Sequence, residues 1–108
     1  MAGRGSGGGT REEREARRDA YLRRTYGISL ADFRAIARVQ GGRCAICSRP
    51  LSQSANVDHC HRTNKVRGIL CWKCNHVRLG AFMDSRDLIA AALAYLDNPP
   101  AEVVLVDI

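Results

Sequence analysis

At 108 residues and a net charge of +6, the chain has room for one small domain with a modest core. No apolar leader follows Met1 and no apolar run is long enough to span a bilayer, so secreted and membrane classes are set aside and a reduced cytoplasmic setting is expected. In that setting the five cysteines read as metal ligands before disulfides, and the spread of positive charge suits a polyanionic partner, although charge alone fits a plain basic surface equally well.

Residues 1–10 are Gly-rich and carry no core-forming side chain, which predicts an unfolded arm. A charged helix follows over 11–25. Thr10 and Glu13 have the spacing of a capping box, and charges of both signs recur at i, i+3 and i+4. A solvent-facing helix is the favoured reading, with a phosphate-contacting arm second. Gly27 is placed to stop it in the left-handed conformation. Ser29 and Asp32 open a second helix. Leu30, Phe33, Ile36, Ala37 and Gln40 fall near one face, the expected core stripe, and Gly41-Gly42 ends it.

Arg49-Pro50 begins a turn and 52–56 is a polar loop. Segments 55–58 and 66–70 read as two strands, and the polar run 62–65 between them makes a hairpin the economical connection. Residues 76–82 read as a helix weakened by Gly80. Ser85 then caps a stronger one, with Leu88, Ile89, Ala92, Tyr95 and Leu96 on one face, and Asn98-Pro99-Pro100 ends it. Residues 103–106 are apolar and β-branched, and read as either a late strand or a partner-binding tail. They are the basis for self-association into a homodimer, a reading ranked low. The domain reading is therefore an arm (1–10), a helical extension (11–25), a folded domain (26–97) and a tail (98–108).

Two Cys-x-x-Cys pairs carry the strongest chemical signal. Cys44, Cys47, Cys71 and Cys74 have knuckle spacing and would close a tetrahedral thiolate shell around one structural zinc. Such a metal would clamp the hairpin to the helix start after it. Cys60 is left over and is read as a bystander thiol. Between and after the knuckles lie Asp58, His59, His61 and Asn75, which a purely structural zinc site does not need.

In a strand, alternate side chains share a face, so His59 and His61 should lie together while Asp58 points away. A site using both Asp58 and His59 therefore needs a break in the strand between them. Asp58 offers a carboxylate oxygen and Asn75 an amide oxygen, a donor set suited to Mg²⁺ or Mn²⁺. Imidazole is the side chain suited to take a proton from water near neutral pH, which gives His59 the part of general base. His61 would orient or stabilise a phosphate. Lys65 and Arg67, beside the hairpin, would neutralise backbone charge, and Arg78 is grouped with them as a DNA contact.

The ordered run of Gly41-Gly42, the first knuckle, Val57-Asp58-His59-x-His61, Val66-Arg67-Gly68 and Cys71-x-x-Cys74-Asn75 resembles the recombination endonuclease VII family. That family belongs to the HNH, or ββα-metal (His-Me finger), nucleases, and many of its members are phage-encoded. The resemblance covers about residues 26–97. It implies an α+β, zinc-stapled ββα-metal fold with flanking helices, acting on DNA in the cytoplasm of a phage-infected bacterium. It implies structural zinc on the four knuckle cysteines, a catalytic divalent ion on Asp58 and Asn75, His59 as base and His61 at the phosphate. One departure stands out. The family's best-known member, a Holliday-junction resolvase, has Glu three residues after the Cys-Asn, where this chain has Arg78. The competing class is a non-catalytic zinc-ribbon module that binds DNA or adapts between partners.

Overall fold

The computed structural model describes residues 9–105. Most of the expected Gly-rich arm, and the last residues of the tail, lie outside the described residues. The order of elements is α1 (Arg11–Tyr26), α2 (Leu30–Val39), β1 (Asn56–His59), β2 (Val66–Leu70), a π-helical segment (Lys73–Arg78) running into α3 (Leu79–Phe82), then α4 (Arg86–Asp97) and α5 (Ala101–Val104). Helices thus flank one small antiparallel sheet of two strands.

Both early helices begin as their sequences dictate. Thr10 Oγ1 accepts from the Glu13 N–H at 3.0 Å while Glu13 Oε1 accepts from the Thr10 N–H at 2.8 Å. Ser29 and Asp32 repeat the same reciprocal pair at α2. Gly27 stops α1 in the left-handed conformation, φ 74°. α1 is more than a solvated helix, however. Leu22 is fully buried and packs with Phe33 of α2, Ala55, Val57 of β1 and Ile69 of β2, with Tyr26 against the same cluster. The signal for this was the i, i+4 spacing of Leu22 and Tyr26, which the surrounding charges mask.

The α2 stripe is core, as its periodicity predicts, but Gln40 at its end has a polar task. Its amide donates to the Ile69 and Arg43 carbonyls at 2.9 and 2.8 Å and accepts from the Ile69 N–H at 2.9 Å. This ties the helix terminus to β2. Gly68 suits the close approach: a Cβ there would sit 3.2 Å from Gln40 Oε1.

β2 separates two clusters by its pleat. Ile69 faces the helices, and the adjacent Leu70 packs with Cys44 and Cys74. The hairpin closes with Cys60 donating to the Lys65 carbonyl at 2.8 Å and Asn64 donating to the Cys60 carbonyl at 2.7 Å. Asn64 takes the left-handed conformation, φ 64°, which Asn tolerates better than most residues.

Beyond the hairpin the structure adds three features that the sequence did not specify. The helix expected over 76–82 begins earlier, at Lys73, with a π-helical turn that puts the Leu79 N–H on the Cys74 carbonyl. The apolar face of α4 is uncovered among the described residues: Leu88, Leu93, Tyr95 and Leu96 are all exposed. Residues 101–104 form a short helix, not a strand, because Pro100 supplies a fixed helical φ at its start.

Candidate functional site

The four knuckle cysteines converge. Their Sγ atoms all lie within 4.8 Å of one another, with Cys44 and Cys74 buried. The Cys47 and Cys71 sulfurs are 3.7 Å apart. A zinc–sulfur bond of about 2.3 Å in a tetrahedron requires an S···S edge of about 3.8 Å, so the cluster has the size of a thiolate shell around such an ion. Burial resists ionisation of Cys44, but backbone N–H groups of Cys47, Cys71 and Ile46 prevail and bring its thiol down to about 6. The Cys74 backbone N–H likewise lowers Cys71. Burial pushes Cys74 up to about 11, against the pull of Arg78, whose Nη1 donates to Cys74 Sγ at 3.0 Å. This cluster can hold a structural metal such as zinc, bound by the loop before β1 and the segment after β2. Cys60 stands apart, with its thiol lowered to about 7 by the Thr63 hydroxyl and nearby N–H groups.

The second group of residues gathers at the open end of the hairpin. Strand pairing runs Asn56–Leu70, Val57–Ile69 and Asp58–Gly68, then slips so that His59 faces Val66. The extra residue of this bulge is Arg67 on β2, while β1 itself runs through Asp58 and ends at His59. Freed from the ladder register, Arg67 lays its guanidinium on Asp58. Nε donates to Oδ2 at 2.7 Å and Nη2 to Oδ1 at 3.0 Å. Asp58 is buried, and this bidentate pair satisfies both its oxygens.

His59 ends β1 with its ring half-buried, 5.7 Å from the Tyr26 ring and 4.9 Å from the His61 ring, centroid to centroid. His61 is exposed and bonds through Nδ1 to Asp84 Oδ2 at 2.9 Å. Asp84 also accepts from Arg67 Nη2 at 3.2 Å. These bonds hold its carboxyl below the usual aspartate range, the His61 bond acting most strongly. Asp58, Arg67, Asp84 and His61 therefore form one continuous chain of hydrogen bonds, with the His59 ring tilted beside its end. Asn75 is half-buried in the π-helical turn, its N–H on the Cys71 carbonyl at 3.0 Å. The partner of the Asp58 carboxylate is Arg67, not Asn75.

Of the three basic residues expected on DNA, Lys65 is exposed at the hairpin turn. Arg67 and Arg78 are exposed residues whose guanidinium groups engage carboxylates and a thiol. Asp84 was missed by the motif reading. It lies beyond the Cys-Asn, and only the fold brings it to His61.

A small α+β domain with a four-cysteine metal cluster and an acid–histidine group at its hairpin is the class these elements define. The profile of recombination endonuclease VII matches residues 19–98, and the chain belongs to that family. Two phage proteins, each named Gene 59 protein, are similar to it. Those of Mycobacterium phage D29 and Mycobacterium phage L5 are both 43% identical over 83 residues, which is 75% of this chain. The match takes in 50% and 51% of their own lengths, so the chain spans about half the length of the curated relatives it matches. No solved structure matches. No helix among the described residues is long and apolar enough to cross a membrane.

Proposed function

We propose that the chain is a metal-dependent DNA endonuclease of the HNH, ββα-metal type, hydrolysing phosphodiester bonds in the cytoplasm of a phage-infected bacterium. Family membership supports the nuclease class. The observation that carries the finer reading is the bulge opposite Asp58 and His59. It accompanies a buried carboxylate and a pair of adjacent, tilted imidazoles within one short hairpin, a combination a bare zinc ribbon does not require.

His59 is the general base in this reading. Its ring is held by Tyr26 and His61 at the strand end, where it can take a proton from a water aimed at phosphorus. His61 stands at the phosphate, and exposed Lys65 adds charge beside it. Asp58 and Asn75 are the donors for Mg²⁺ or Mn²⁺. Asp58 brings a carboxylate with about four lone-pair sites, of which Arg67 uses two, and Asn75 an amide oxygen, the donor types such an ion takes. When bound there, the ion supplies charge to stabilise the crowded phosphate and the departing 3′ oxygen. Cys44, Cys47, Cys71 and Cys74 hold zinc and keep the hairpin and the Asn75 turn together.

The test is nicking of supercoiled plasmid by zinc-loaded protein with Mg²⁺ or Mn²⁺. His59→Ala should abolish nicking while zinc stays bound, and a His59→Ala protein that nicks like wild type would refute the assignment. The Arg67 grip on Asp58 favours a second reading, a non-catalytic zinc-ribbon module in which Asp58 serves as a structural ion-pair partner. That module would bind DNA with no divalent-dependent cleavage and with indifference to Asp58→Asn and Asn75→Ala.

A further inference from the structure

We propose that Asp84 is a positioning residue of the nuclease site, setting the orientation of His61 and Arg67; the inference rests on the endonuclease reading above. The motif ends at Asn75, yet the structure brings a carboxylate from 23 residues beyond His61 back onto its ring. One oxygen of Asp84 meets His61 Nδ1 at 2.9 Å, and the other accepts from Arg67 Nη2 at 3.2 Å. A single side chain thus joins the histidine pair to the Asp58–Arg67 pair.

The His61 side chain is 75% exposed, so packing does little to hold its ring. Without a tether, such a ring samples several rotamers. An ionised carboxylate only accepts, so the bond places the His61 proton on Nδ1 and leaves Nε2 as the open ring nitrogen. The nitrogen available toward a phosphate or its bound water is thereby defined. Arg67 is constrained by the same group. With Asp58 on one edge and Asp84 on Nη2, its guanidinium plane is fixed over the bulge.

The local backbone bears on this arrangement. Met83 and Asp84 both lie in the left-handed region, at φ 50° and 60°, in the turn between α3 and α4. Consecutive non-glycine residues there are uncommon. The turn is pinned by the Met83 N–H on the Gly80 carbonyl and the Ser85 N–H on the Phe82 carbonyl, and Ser85 then caps α4. This turn delivers Asp84 to His61 and Arg67.

The experiment compares wild type, Asp84→Asn and Asp84→Glu as full-length, zinc-loaded proteins nicking plasmid with Mg²⁺. Asp84→Asn removes the charge and one of the two acceptors. It should lower kcat tenfold or more with KM within about twofold, at unchanged zinc content, and Asp84→Glu should recover part of the loss. Wild-type kcat in Asp84→Asn would overturn the proposal. If Asp84→Asn proves unstable, ¹⁵N NMR of the wild-type His61 ring decides: an Nδ1-protonated tautomer supports the role and an Nε2-protonated one overturns it. Wild-type protein that cuts no DNA with any divalent ion sinks the endonuclease reading itself, an outcome seen before any variant is made.

Discussion

Arg67 grips both carboxylate oxygens of Asp58, at 2.7 and 3.0 Å, from the one position of β2 that the bulge removes from the strand register. The Asp58 side chain is 10% exposed and that of Arg67 37%. Removing one partner of a fully buried pair costs about 3–5 kcal/mol because the other charge is left alone. Solvent at Arg67 screens part of that, so Arg67→Met should destabilise by about 1–3 kcal/mol in urea unfolding. The double variant Asp58→Asn/Arg67→Met should be more stable than Arg67→Met alone, since no unpaired charge remains. Additive losses in that cycle would mean the pair is not coupled.

Gln40 gives a second prediction, independent of the site. Its amide serves three backbone groups, on Ile69 and Arg43, and joins the end of α2 to β2. Gln40→Ala strands partly buried groups, so a loss of about 1–3 kcal/mol is expected. Gln40→Glu keeps the acceptor for the Ile69 N–H but loses both donated bonds. It also sets a carboxylate oxygen against the Ile69 and Arg43 carbonyls, so it should be at least as destabilised as Gln40→Ala in chemical denaturation, and equal stability of all three would contradict the tie.

Helix starts, the hairpin and the thiolate cluster were legible because their signals are local or spaced in the sequence. Thr10 and Glu13 lie three residues apart, and the knuckles repeat one spacing. Leu22 was hidden because a single buried leucine among arginines yields little periodicity. Asp84 and Arg67 were opaque for another reason. Nothing in Met83-Asp84-Ser85 announces that its turn folds back on His61, and no pattern within 66–70 announces a bulge.

Asp84 also predicts a pH dependence. Its folded pKa is lowered from 3.8, first by the His61 bond and then by Arg67, with burial opposing. A lowered carboxylate contributes stability above its unfolded pKa, and that contribution is lost as pH falls through the folded value. Wild type should therefore exceed Asp84→Asn in stability at pH 6, and the gap should close as pH drops below 3.8. Denaturation at several pH values checks this. A gap that stays constant down to pH 2 would show that Asp84 does not carry the linkage.

Zinc dependence separates the knuckle cysteines from Cys60. The four clustered sulfurs lie within one shell, while the Cys60 thiol bonds to its own turn at Thr63. Metal analysis of purified protein should find one zinc per chain. Cys74 is buried beneath Leu70 and Leu79 as well as belonging to the four-sulfur cluster, so Cys74→Ser should lose the metal and leave a polar group in an apolar cluster. It should abolish zinc binding and the cooperative thermal transition together. Cys60→Ser should retain full zinc and a Tm within a few degrees of wild type. A strong chelator should unfold wild type and Cys60→Ser alike, with refolding on added zinc. Retention of zinc by Cys74→Ser, or its loss from Cys60→Ser, would require a different ligand set.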